Sequence, residues 1–381
     1  MPLSTLSIAR APLCAFVVMG MMWGSFAAVL PDLKTMLGVD EAQLGLLLFL
    51  TPVSAVLMML MAPGLGAALG RFALPLATLL MAASFALPGQ TASLLLFPLA
   101  MMACGAATGL TDVLMNARVA TLENTHARPL MNLCYAFYSL GYAVAALTTG
   151  ALRDVGTAPG VVMASVSAAA LVVALFTWDR NGRIEGLARA KGKAAAALGA
   201  LPLIGGAIVL VAFMTENAAE SWSALHIEKT LGGSPAQGAL GPAALALTMA
   251  AARLGGQALI RRISPLTLMS GGAVIASFGA LIAAFATGPA MAYAGFIIMG
   301  IGASVIAPTA FSFVGQNARP EARARAVARA TLLGYFGFFF GPPILGLIAG
   351  NFGLRAAFVA TACGIALVLI LAPLMVRKSG R

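Results

Sequence analysis

Four ionisable residues lie inside long apolar runs of the chain: Asp112, Glu216, Glu220 and Arg253. A charge within a membrane-spanning segment is costly, and such residues mark substrate paths, ion paths and proton relays. A carboxyl group kept from water ionises less readily, so it can take up and release a proton near neutral pH. Asn116 stands one helical turn beyond Asp112 on the same face. Counted from Leu94 at ~1.5 Å per residue, Asp112 falls roughly 27 Å into its run, in the cytoplasmic third. Two roles stand open for it: a proton-binding site, or the partner of Arg118 or Arg71 in a structural charge network. Glu216 and Glu220 also share a face one turn apart, followed by Trp222. Two carboxyls that close in an apolar setting do not both ionise easily, which leaves one as a donor beside an acceptor. With Asn217 and Trp222 they can hold a polar solute; the plainer reading makes Glu220 and Trp222 interface anchors. Arg253 suits either a substrate anion, through its planar fork, or a structural partner at an inner gate.

Other candidates carry weaker chemistry. Trp23 and Phe26, with Ser25 between them, fall near the middle of the first run, where a ring can stack on a solute or simply pack. Tyr135, Tyr138 and Ser139 offer hydroxyls. The stretch GYFGFFFGPPILG (334–346) places Gly341, Pro342 and Pro343 in a helix, a bend whose freed backbone groups neighbours must satisfy. His126 and His226 are expected in or near loops, solvated. The 4 cysteines all fall in apolar runs without metal spacing, and read as packing residues. The chain has no H-E-x-x-H, nucleophile elbow or P-loop lysine motif, and its loops are too short for a catalytic domain. No enzyme activity, metal or cofactor is expected.

The elements that must position these residues are helices in lipid. Of 381 residues, 61% are hydrophobic and only 9% charged, which leaves too little polar surface for a soluble domain. The runs are about 20 residues long, enough to cross a ~30 Å hydrocarbon core, and lack the alternation of a membrane β-barrel. Twelve spans are expected: 11–31, 43–67, 72–90, 93–118, 130–152, 159–178, 200–223, 236–260, 265–286, 289–315, 326–350 and 353–376. The first is expected to be a retained helix rather than a cleaved signal. The 42 Gly suit close helix approach. The +11 net charge is a topology signal rather than a nucleic-acid one. Of the 23 Lys and Arg, only Lys34, Arg153, Lys229 and Arg355 fall in expected outer loops and Arg253 lies within a span; the rest sit in the alternate loops and at the ends. Both termini are therefore expected in the cytoplasm, in a multi-pass inner-membrane protein. Residues 1–178 and 200–381 form two halves, joined by a basic linker at 179–199 that also suits anionic lipid. The halves echo each other: 69–89 resembles 260–280, and 103–118 resembles 299–319. Such six-plus-six repeats are a transporter layout.

With these features the chain resembles the Major Facilitator Superfamily over essentially its whole length. GAALGRFA (66–73) is similar to that family's G-x-L-x-D-R-x-G loop: Gly66 and Arg71 match, Gly70 replaces the acid and Ala73 the second glycine. RLGGQALIRRIS (253–264) occupies the matching loop of the second half, again without Asp. A narrower resemblance is to a bacterial subfamily related to fucose-type sugar permeases, carried by ENAAESWSAL (216–225), by Asp112, Met115 and Asn116, and by RPLMNLCYAFYSLG (128–141). Relatives often place a His where this chain has Tyr135, so no proton role is inherited there.

The resemblance implies an all-α membrane protein with twelve transmembrane helices in two six-helix bundles, the first, fourth, seventh and tenth lining a central cavity. It implies a monomeric secondary transporter that moves a small-molecule solute by alternating access, with the lipid bilayer and protons as its other partners. On this reading Asp112 and Glu216 couple protons. Trp23, Phe26, Asn116, Tyr135, Tyr138, Asn217, Glu220 and Trp222 contact substrate, and Arg71, Arg118, Arg253, Gly341 and Pro342 serve gating. The fifth helix lacks the Gly-Pro motif of drug/proton antiporters, which favours uptake over export. An exporter of drugs or toxic metabolites and a non-transporting receptor are the alternatives.

Overall fold

The computed structural model describes residues 5–126, 130–184, 199–255, 263–318 and 323–379. Within them the side chains of residues 253, 254, 323–325, 328 and 379 lie outside the description. The described chain is helical, with no strand among the described residues. This is the outcome expected where backbone groups must be satisfied within each segment. In order the helices are α1 (Thr5–Leu37), α2 (Glu41–Leu48), α3 (Leu50–Leu69), α4 (Ala73–Ser84), α5 (Leu96–His126), α6 (Met131–Asp154) and α7 (Pro159–Leu175). They continue as α8 (Leu201–Leu225), α9 (Pro235–Gly255), α10 (Pro265–Ala284), α11 (Pro289–Ala303), α12 (Ile306–Asn317), α13 (Arg323–Phe352), α14 (Leu354–Ala366) and α15 (Val368–Ser379).

Helices fall on the expected stretches, and two of the breaks between them stand four residues before a proline. α2 ends at Leu48, four residues before Pro52, and α11 gives way to α12 at Ser304, four residues before Pro308. A proline ring clashes with the carbonyl four residues back and offers it no donor. At the second break the Ser304 hydroxyl also bonds the Ile301 carbonyl at 2.8 Å. Among the described residues, eight stretches are long and apolar enough to cross a bilayer by themselves, against the twelve expected. Glu41–Gln90 counts once although it holds two expected spans. Pro159–Leu175 has 17 residues. Met131–Asp154, rich in hydroxyl residues, and Pro235–Gly255, rich in Gly and Ala, are outside the set.

Contacts divide the chain into two units: Met1–Val39 with Leu47–Lys191, and Asp40–Leu46 with Gly192–Arg381. The opening of α2, expected in the first half, thus belongs by its contacts to the second unit. Of the expected linker, 185–198 lie outside the described residues.

In the first unit α1 and α6 run side by side in the same direction. Gly20 and Gly24, four apart on α1, meet the carbonyls of Tyr138 and Tyr142, and a methyl group on either glycine would overlap them. This small-residue stripe brings two backbones into contact, as membrane helices require. Polar ties add register. Ser25 Oγ lies 2.7 Å from Thr149 Oγ1. Arg153 donates from Nε and Nη2 to Asp32 at 2.7 and 2.6 Å, and from Nη1 to the Ala28 carbonyl at 2.6 Å.

The second unit repeats the parallel pairing with α8 and α13. Gly337 seats on the Leu210 carbonyl and Gly206 on Leu333. His226, expected to be solvated, is fully buried instead. α8 continues into a π-turn at His226–Thr230, and the ring Nε2 lies 2.9 Å from the Ala283 carbonyl. Arg355 Nη1 donates to Ala284 O at 3.1 Å. Together they satisfy the last carbonyls of α10, which have no partner within their own helix.

Candidate functional site

In the first unit the structure joins three of the predicted residues. Asp112 and Asn116 are one turn apart on α5, and Asn116 Nδ2 donates to the Asp112 carboxylate at 3.1 Å and to its backbone carbonyl at 2.8 Å. The Tyr135 hydroxyl, from the second turn of α6, donates to Asn116 Oδ1 at 3.3 Å. The amide thus uses both of its ends, one on a carboxylate and one on a phenol. Asp112 and Asn116 are half-buried and Tyr135 is exposed, so the chain of bonds opens at its phenol end. Phe16 of α1 meets the Tyr135 ring edge-on at 4.9 Å. Three helices therefore fix one polar cluster that can bind hydroxyl or amino groups beside a carboxyl.

What holds Tyr135 in place is Glu123, which sequence reasoning missed. Its Oε1 accepts from the backbone N–H of Leu130 at 2.5 Å and of Met131 at 2.8 Å. The first N–H groups of a helix have no partner of their own, so a carboxylate on α5 caps α6 and sets its register against Asn116. Tyr138 lies one turn further, half-buried, with its ring 6.1 Å from that of Tyr142.

Arg118 and Arg71, expected to serve gating, make other contacts. Arg118 is buried and donates to Asp179 at 2.7 Å and to the Arg183 carbonyl at 2.8 Å. Arg71 places its guanidinium over the rings of Phe72 and Trp178 at 5.1 and 5.8 Å. Arg118 thus pairs with Asp179 at the head of the linker. The buried Asp32–Arg153 pair was also missed, because Arg153 was counted as a loop charge.

In the second unit Glu216, Asn217 and Glu220 are half-buried along α8. Asn217 Oδ1 lies 3.0 Å from the point a Cβ on Gly341 would occupy. α13 passes through Pro342 and Pro343 without a break, and these prolines leave the carbonyls of Phe338 and Phe339 without their helical donors. Trp222 is only 1% exposed and its ring packs toward Gly346 of α13. Burial of the indole speaks against the anchor reading of Trp222. Phe26 is likewise buried, with its ring 5.7 Å from Trp23 and 6.4 Å from Phe85, whereas Trp23 keeps part of its surface. Arg253 lies on α9, but its side chain is outside the described residues.

The Major Facilitator Superfamily model matches residues 13–328 and again 205–381. A Yersinia pestis protein described as an uncharacterized MFS-type transporter is 29% identical over 354 residues, 90% of this chain and 89% of its own length. The fold is similar to an inward-facing, unoccupied bacterial homolog of the human lysosomal transporter Spinster. The TM-score is 0.78 at 16% identity, with 98% of this chain and 97% of that one covered. It is also similar to the E. coli fucose:proton symporter, with a TM-score of 0.62 at 18% identity over 96% and 98% of the two chains.

Proposed function

The chain belongs to the Major Facilitator Superfamily, and from that premise we propose a proton-coupled secondary transporter for a small polar organic solute. Membership makes it a membrane transport protein rather than an enzyme. The finer reading rests on one observation above the rest: the hydrogen-bonded cluster of Asp112, Asn116 and Tyr135. A carboxyl group in a half-buried cluster can exchange a proton, and an amide and a phenol beside it offer the donors and acceptors that a polar solute needs. Glu216 is the counterpart proton site in the second unit, with Asn217 and Glu220 beside it. The similarity to a fucose:proton symporter is one of fold, and the fucose-type subfamily is proposed on the motifs at 112–116 and 216–225.

The working architecture is twelve spans in two bundles, 1–178 and 200–381. It is a monomer in the inner membrane with both termini in the cytoplasm, and import is its favoured direction. Gly341 and Pro342 let α13 bend during alternating access.

The test is solid-supported-membrane electrophysiology on proteoliposomes, with pooled metabolites applied across an imposed pH gradient. Wild type is compared with Asp112→Asn and Glu216→Gln. The expected result is a solute-evoked current that either substitution abolishes. Currents that survive both substitutions overturn the carboxylate assignment, and raised drug tolerance in a sensitive host without uptake would favour the exporter.

A further inference from the structure

The first unit also holds a cavity whose described lining includes no residue of the Asp112 cluster. It is a cleft of about 870 Å³ between the turn at 66–72 and the segment 180–184. Three arginines line it, Arg71, Arg180 and Arg183, and no Asp or Glu is among the described residues of its wall. Asp179, which precedes Arg180, is committed: its carboxylate accepts from Arg118 at 2.7 Å and from the Asn181 N–H at 3.1 Å. The wall is also built rather than loose. Buried Arg118 reaches across to the Arg183 carbonyl, and Gly182 packs so near the Arg71 carbonyl that a Cβ would stand 3.1 Å from it.

The surroundings place this positive cleft at a membrane surface. Arg71 is held over the rings of Phe72 and Trp178, which are 42% and 41% exposed. A part-exposed tryptophan such as Trp178 beside arginines suits the headgroup level. An arginine fork matches the oxygens of a phosphate in geometry as well as charge. Small residues at Gly66, Ala67 and Ala68 leave room for a ligand to approach the backbone.

We infer that this cleft binds a phosphate-ester anion through Arg71, Arg180 and Arg183. Two sources present that chemistry, the headgroup of an anionic phospholipid and a soluble phosphate ester. The inference does not depend on the transport reading, since no residue of the Asp112 cluster takes part.

Thermal unfolding is followed in phosphatidylcholine nanodiscs with and without phosphatidylglycerol, and in detergent micelles with and without glycerol 3-phosphate. Wild type is compared with Arg71→Gln/Arg180→Gln/Arg183→Gln and with Arg377→Gln/Lys378→Gln, a control at two exposed basic residues far along the chain. Each arginine is expected to strengthen binding roughly fivefold, and the three together on the order of a hundredfold. Stabilisation by phosphatidylglycerol that the triple variant loses and the control keeps assigns a lipid headgroup. The same pattern with glycerol 3-phosphate in micelles assigns a soluble ester. Equal loss in both variants would reduce the effect to general surface charge and overturn the site, as would no stabilisation by either probe in wild type.

Discussion

The Asp32–Arg153 pair predicts an asymmetry between its two halves. The Arg153 side chain has no exposed surface, whereas the Asp32 side chain is 32% exposed. The bonds of Arg153 include two to the carboxylate and one to the Ala28 carbonyl. Breaking a buried ion pair costs about 3–5 kcal/mol when the charge left behind stays buried and unpaired. Asp32→Asn leaves that situation, a guanidinium sealed between α1 and α6. Arg153→Met leaves instead a carboxylate that already reaches solvent and can rehydrate, so the cost falls to about 2 kcal/mol. The double variant, with no charge to strand, is expected to be milder than Asp32→Asn alone. Equilibrium unfolding in mixed micelles, read as a double-mutant cycle, measures all three. If Arg153→Met proves at least as damaging as Asp32→Asn, burial does not govern the pair, and the clamp between α1 and α6 has been misread.

The other predictions concern the sites directly. Tyr135→Phe removes one neutral hydrogen bond but keeps the Phe16 contact, so the solute KM in proteoliposome uptake is expected to rise only about two- to tenfold; Asn116→Ala, which disconnects both Asp112 and Tyr135, is expected to cost more than Tyr135→Phe in the same assay. Gly341→Ala drives a methyl group onto Asn217 and is expected to slow uptake, with partial recovery in Gly341→Ala/Asn217→Ala. His226→Phe keeps the ring packing on Phe358 but strips the bond to Ala283, for an expected loss of about 1–2 kcal/mol in unfolding.

Local periodicity made part of this molecule readable and left the rest dark. Asp112 and Asn116 are four residues apart, so their shared face follows from helix geometry alone. The bond from Tyr135 to Asn116 crosses between helices, and no spacing within either helix foretells it. Glu123 left one usable signal, an acid shortly before a predicted helix start, though its reach of seven residues exceeds any common capping pattern. Asp32 and Arg153 also left one: opposite charges assigned to the same outer face, where only three other basic residues fall. The burial of Trp222 was not legible, because it involves Gly346, more than a hundred residues away. The break between α2 and α3 was readable from Pro52, and that between α11 and α12 from Pro308, once each was counted four residues back.

These missed residues share a physical role. Between helices in lipid there is little hydrophobic driving force, because the tails are as apolar as the side chains, and small-residue contacts such as Gly20 and Gly24 on α6 bring backbones together. A glycine stripe permits sliding as readily as it permits contact. Sliding is prevented by directional bonds, and in the first unit these sit toward the two ends of α6: Glu123 at Leu130 and Met131, and Asp32 at Arg153. Between them lie Phe16, Tyr135 and the Asn116 amide, whose bond to the phenol is already long at 3.3 Å. One turn of slip would carry Tyr135 about 5.4 Å along its axis, beyond any hydrogen bond. The polar clamps that the apolar pattern hides are therefore what give the Asp112 cluster a defined geometry.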